Sequence, residues 1–388
     1  VLDSIHYQKA NHTKPQSLLD SILAPLNTHH EKTYSAPFAL RLYTKETMMV
    51  DGKAIQVHPR LIYPPSQFKN TRDGKLWTVM TVAESIWISL VVTFIAGFGL
   101  FGLKKAMYGS FLIKPTSAEI SAFLTFFVVL TSVLACYLLS RNLHVLGTGK
   151  IGQDIFYYSI KSIRTGLVIG TLTTLFMMPL ALILGMAAGY FGGFIDDLIQ
   201  YLYTTLSSIP GVLLITASIL SMQTYISNHP QQFTTLSQSA DARLLALCFI
   251  LGVTSWTSLC RLLRAETLKL KEIDFVLAAQ ALGTSSFNIL RKHILPNVMH
   301  IVLITLVLDF SFLVLAEAVL SYVGVGVSPL TMSWGNMINA ARLELAREPI
   351  VWWPMLAAFL FMFVLVLASN LFADAVRDVF DPRQAKLI

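Results

Sequence analysis

After residue 80 the chain runs again and again for about 20 residues without a charge, the length an α-helix needs to cross the hydrocarbon core of a bilayer. These stretches cover 85–103, 120–140, 165–195, 198–222, 244–260 and 349–373. A seventh, 298–322, is interrupted only by Asp309 and Glu317. Lipid offers no partner to a free backbone N–H or C=O, so a spanning segment is either a helix or a strand of a closed barrel. Strict alternation of apolar and polar residues is absent, which excludes the barrel. The sequence predicts an all-α membrane protein, a helical bundle with seven spans.

Composition agrees. Only 13% of residues are charged and the mean hydropathy is +0.62, too little charge for the surface of a soluble domain. The net charge of +7 therefore reports topology, not affinity for nucleic acid. Cys136, Cys248 and Cys260 lie in or beside apolar runs, away from any CxxC or Cys/His grouping. They read as small lipid- or helix-facing side chains.

Lys and Arg accumulate on the cytoplasmic side of membrane proteins. The 261–298 loop holds Arg261, Arg264, Lys269, Lys271, Arg291 and Lys292, and alternate connections add Lys104, Lys105, Lys114, Arg377, Arg383 and Lys386. The opposite set holds Arg141, Lys150, Lys161, Arg342 and Arg347, with Arg164 at a span edge. The 261–298 loop and the C-terminus are expected in the cytoplasm.

Residues 1–80 then lie outside. They are polar, carry Pro15, Pro25, Pro37, Pro59, Pro64 and Pro65, and read as short strands and turns in a compact cap. Tyr34, Phe38, Leu40, Leu42, Tyr43, Ile62, Tyr63 and Phe68 would supply its core. Of two readings for His6, His12, His29, His30 and His58, solvated loop histidines outweigh a metal site. No signal peptide is visible and the first residue is Val1, so a further upstream span is expected. Residues 81–140 then carry two additional helices, and 141–388 a core with five.

The most informative stretch is the loop RLLRAETLKLKEIDFVLAAQALGTSSFNILRKHILPNV, residues 261–298. Connections within a bundle are usually short, and longer ones tend to carry function. Asp274 is placed to cap a short helix over 275–282, Gly283 to break it, and Ser285 or Ser286 to cap a second. The second piece passes through Phe287, Ile289 and Leu290 to Arg291 and Lys292 and should stop before Pro296. An amphipathic surface helix anchored by basic residues is the plain reading. The small side chains Ala278, Ala279 and Ala281 would let a partner come close.

AAQALG followed by HILPN resembles the EAA motif of ABC importer permeases, and the neighbouring runs agree. GTGKIGQDIF (147–156) is similar to the LGTDxxGRD segment of that family, and AAGYFGGFIDDLI (187–199) to its AGYxGGxxD turn. AEAVLSYVGVGVSPLTMSWGNMINAAR (316–342) and NLFADAVRDVFDPR (370–383) resemble the end of C-type peptide permeases. The resemblance covers about residues 141–385. It implies a type I ABC importer transmembrane domain in the bacterial inner membrane, a transport subunit and not an enzyme. Implied partners are a B-type second permease, two cytoplasmic ATP-binding subunits and an extracytoplasmic solute-binding protein. The motif would dock on the ATPase through Phe275, Leu277, Ala278, Ala279, Gln280, Leu282, Gly283 and Ser286. Leu277 stands where the motif has Glu and Gln280 where Arg is usual, so one charged contact is missing. Peptides are the usual cargo of the family, with nickel, opines, sugars and peptide antibiotics as others.

No GxxxxGK[ST] phosphate loop, no catalytic triad and no cofactor motif occurs, so ATP would be hydrolysed by partners. Two other classes suit the composition. One is a proton-driven secondary transporter using Asp309 and Glu317; the other is a structural or signalling membrane protein. Transport that persists without an ATPase would favour the first of these. Asp309, near mid-membrane, should face the bundle interior, because exposure to lipid there costs roughly 3 kcal/mol; pairing with a polar group on a neighbouring helix outweighs a pathway-facing carboxylate in contact with substrate. Glu317, closer to the outer end, could also face the pathway or reach the interface.

Overall fold

The computed structural model describes residues 18–27, 30–50, 53–64, 71–108, 116–233 and 235–380. Two compact units divide the chain, 1–158 and 159–388.

In the first unit, α1 (Leu18–Asn27) precedes an antiparallel hairpin of β1 (Glu46–Val50) and β2 (Lys53–Val57), registered with Glu46 opposite Val57. An isolated bridge between Arg41 and Arg60 extends the pairing. The helix corrects the reading of this segment as strands and turns alone: Leu18, Leu19, Ile22, Leu23 and Leu26 repeat at helical spacing, and Leu23 and Leu26 are buried. Tyr34, Leu40, Leu42 and Leu61 are buried, while Tyr43 and Tyr63 are half-buried. Phe38 and Ile62 are exposed instead of in the core. Phe38 occupies a turn at φ 57, where its N–H donates to the carbonyl of His144 and its ring is left outside. Phe68, His6, His12 and His29 lie outside the described residues. Among the described residues, no three His, Cys, Asp or Glu side chains gather as a metal site.

Two long helices follow, α2 (Thr71–Tyr108) and α3 (Ser117–Ser140), packed against each other. Thr116 and Glu119 close a reciprocal capping box at the start of α3. The 141–154 connection then leads into α4 (Ile155–Phe191), which starts in the first unit and continues into the second.

The second unit holds α5 (Gly193–Ser208), α6 (Gly211–Asn228), α7 (Leu236–Lys271), α8 (Asp274–Ala281) and α9 (Ser286–Ile289). A π turn, Leu290–Ile294, leads into α10 (Leu295–Val323), and α11 (Trp334–Glu344) and α12 (Trp353–Phe380) complete it. Six helices among the described residues are long and apolar enough to span a membrane. The expected span over 198–222 is not one straight helix: α5 and α6 meet at 86°. The cause is Pro210, which has no N–H to donate and forces Ile209 out of the helical region (φ −88, ψ 130). Hydropathy averages across such a break.

Helix α4 approaches α7 through small residues. A Cβ on Gly185 would lie 2.8 Å from the Cys260 carbonyl oxygen, and one on Gly189 2.7 Å from that of Arg264. These two glycines, four apart in GMAAG, let two helices meet backbone to backbone. Cys248 and Cys260 are buried on α7. Helices α10, α11 and α12 pack together, and α6 packs on α7.

Candidate coupling surface

The loop between α7 and α10 is built as two short helices around a glycine turn. Asp274 is the first helical residue of α8 and not its cap; that place falls to Ile273, which has no side-chain oxygen to offer. At the other end the Thr284 N–H donates to the Ala279 carbonyl at 3.0 Å and the Gly283 N–H to that of Gln280 at 2.9 Å. This is a Schellman closure, which needs a left-handed residue, and Gly283 supplies it at φ 77. Ser285 is the backbone cap of α9, without a side-chain bond. The second helix does not stop before Pro296. The π turn widens the helix at Lys292, the carbonyl with which the Pro296 ring would collide, and the chain runs on into α10 with Pro296 in its first turn.

Burial divides α8 into two faces. Val276 and Ala279 enter a core with Tyr190, Leu263, Leu270, Ile289 and Ile294. Ala279, expected at the docking face, therefore points inward, since residues three apart share a face. Gln280 is half-buried, its Nε2 3.5 Å from the Tyr190 hydroxyl. Phe275, Leu277 and Ala278 lie on the outer face, with Leu282, Gly283 and Ser286 exposed in the turn and at the start of α9. Leu282 is 85% exposed and Phe287 70%, unusual values for large apolar groups so close together. The Phe275 ring lies 6.1 Å from that of His293, tying α8 to the π turn.

The surface rests on a contact that the sequence did not reveal. Asp196 in the first turn of α5 takes Arg264 of α7 in a two-pronged ion pair, Nε–Oδ1 2.5 Å and Nη2–Oδ2 2.6 Å. One helical turn away, the Arg261 guanidinium lies over the Tyr203 ring at 5.1 Å. The two partners of the ion pair are 68 positions apart, and no periodicity links them. The GMAAG spacing at 185–189 was the one readable sign of how closely α4 and α7 pack.

Asp309 is half-buried on α10. Glu317 is buried among its neighbours, where its Oε1 accepts the Ser321 hydroxyl at 2.6 Å. Small neighbours close this site, for a Cβ on Gly335 would lie 2.5 Å from Ser321 Cβ.

Residues 181–386 match the family described as binding-protein-dependent transport system inner membrane component, over half of the chain. A dipeptide transport system permease protein from Lactococcus lactis is 29% identical over 63% of this chain and 66% of its own length. A glutathione transport system permease protein from Pectobacterium atrosepticum is 30% identical over 62% of this chain and 73% of its own. A solved structure described as inward-facing conformations of the MetNI methionine ABC transporter covers 57% of this chain and 97% of that chain, at 15% identity and a TM-score of 0.41. The chain belongs to the binding-protein-dependent transport system inner membrane component family and is a multi-pass permease subunit of the bacterial inner membrane.

Proposed function

We propose that this permease forms half of the translocation pathway for a peptide-like substrate and takes its drive from cytoplasmic ATPase subunits through α8, α9 and the π turn. The observation that carries the reading is the exposed apolar ridge of Phe275, Leu277, Leu282 and Phe287, set on helices whose opposite face is fixed in the core. Rigid backing and an apolar outer face suit transmission of a push from a bound partner. Relatives named for dipeptide and glutathione transport support the cargo class. A B-type permease would complete the pathway, two ATPases would supply hydrolysis, and a solute-binding protein would deliver substrate. Asp309 would face that pathway, and residues 1–80 would lie extracytoplasmic.

Topology tests this directly. Ser285→Cys should stay unlabelled by a membrane-impermeant thiol reagent in intact cells and react once the membrane is opened; labelling in intact cells would overturn the assignment. Leu277 gives a finer test. Without an acid at this position, docking should depend little on salt, since screening weakens ion pairs and not apolar contacts. Leu277→Glu should lower recovery of the ATPase with the purified permease at least severalfold. Stronger recovery would mean that the partner presents a base there.

A further inference from the structure

The first unit contains a buried charged cluster that the transport reading does not use. The side chains of Glu31, His144 and Asp154 are 0–1% exposed. His144 Nδ1 lies 2.6 Å from Asp154 Oδ2, a hydrogen bond. His144 Nε2 lies 3.7 Å from Glu31 Oε1, an ion-pair distance too long for a hydrogen bond.

Each carboxylate also accepts backbone donors. Glu31 takes the N–H of Ile62 at 2.9 Å and of Tyr63 at 2.8 Å. Asp154 Oδ1 takes the Tyr157 N–H at 2.9 Å, in the first turn of α4. Three segments thus converge on one imidazole: 31–38, 61–64 and 141–154. Around it the Glu31 N–H donates to the Gly152 carbonyl and the Phe38 N–H to that of His144, both at 3.0 Å. A Cβ on Gly152 would lie 1.7 Å from the Glu31 carbonyl oxygen, so the approach is as close as the backbone permits.

We propose that this triad is a proton-controlled latch, in which the His144 imidazolium fastens residues 30–64 to the 141–154 connection and loss of its proton releases them. With both nitrogens protonated the ring answers both carboxylates. A neutral ring answers one, and the other keeps its backbone N–H donors but is left as a buried charge without a cation. The groups facing His144 are Glu31 from the N-terminal segment, Asp154 from the connection, and Tyr63, whose ring centroid is 5.3 Å away. The Tyr63 hydroxyl donates to the Arg141 carbonyl, and the Arg141 charge also acts on it.

Burial alone would depress the His144 pKa, but the Asp154 hydrogen bond and the two carboxylate charges outweigh it and raise the value to about 9. Tyr63 is pushed to about 12 by burial and the Asp154 charge, so it stays neutral in that range. Burial would raise Glu31, but His144 and the two N–H donors hold it below its ordinary value. The sign follows. A histidine whose folded pKa lies above its ordinary 6.5 contributes fully below pH 6.5 and loses its contribution as pH rises through about 9. The latch is closed at neutral pH and opens in alkali.

The test uses the full chain in lipid nanodiscs and subtilisin, with cutting rates divided by those of an unstructured peptide at each pH. Cleavage within 30–64 should rise roughly tenfold or more between pH 7 and pH 10, while α10 to α12 stay protected. His144→Gln should be cut at pH 7 as fast as wild type at pH 10, without further pH dependence. Glu31→Gln keeps the Asp154 bond and should move the midpoint down; this arm decides the matter if His144→Gln fails to fold. Flat protection of the wild type, an unchanged midpoint in Glu31→Gln, or loss of α10 to α12 protection at the same pH would each overturn the latch.

Discussion

Gly283→Arg is expected to leave the permease folded and inserted and to abolish most of its uptake, at least a tenfold loss. Two local facts separate folding from function here. The residue sits at φ 77, so a side chain costs about 1–2 kcal/mol of left-handed strain, against a stability of about 5–15 kcal/mol for a typical fold. A Cβ at this position would meet no atom within 4 Å, so the chain itself offers no clash. Any larger effect must arise from whatever covers the turn. Beside it stand Leu282 and Phe287, both mostly exposed, where an arginine would bring a charge against an apolar contact. Uptake and ATP hydrolysis measured in the same proteoliposomes should show hydrolysis continuing while uptake stops. Gly283→Asn, which tolerates the left-handed conformation and is small, should keep most of the activity. A fully active Gly283→Arg transporter would remove this surface from the coupling pathway.

How much of this could be read beforehand depends on the range of the interaction. The spans were legible because apolarity over about 20 residues is a local property. The turn at Gly283 was legible because a glycine after a run of helix formers has a specific backbone use. The break at Ile209–Pro210 was in plain view, yet an apolar average over 198–222 hides a missing N–H. Which face of α8 turns inward was not available from AAQALG, where small residues stand side by side; Val276 and Ala279 are chosen by the packing of Tyr190 and Ile294. The longest contacts left no trace. Asp196 meets Arg264 across 68 positions, and Ser35 meets Thr148 across 113, with nothing periodic in the sequence to pair them. Glu317 was placed by its distance from the span end, whereas the hydroxyl one turn along, on Ser321, is what allows it to be buried.

The Asp196–Arg264 pair should be among the costliest to break in the second unit. Arg264 is 23% exposed and Asp196 14%, so water screens the charges only in part and an orphaned partner is poorly solvated. Removing one member of a fully buried pair costs about 3–5 kcal/mol; the residual exposure here argues for a smaller cost, about 2–3 kcal/mol. Arg264→Ala and Asp196→Ala should each lower the midpoint of thermal aggregation in detergent. The double variant should be less destabilised than the two losses summed, with a coupling energy on the order of 1–3 kcal/mol. Arg264→Lys should recover little, because an ammonium cannot present the parallel N–H pair that holds both carboxylate oxygens. The pair fastens the start of α5 to the last third of α7, from which α8 springs. Uptake should therefore fall in Arg264→Lys more than its stability does. Strict additivity of the two alanine variants would mean that the ion pair contributes nothing and that the Gly185 and Gly189 contacts alone hold this corner of the bundle.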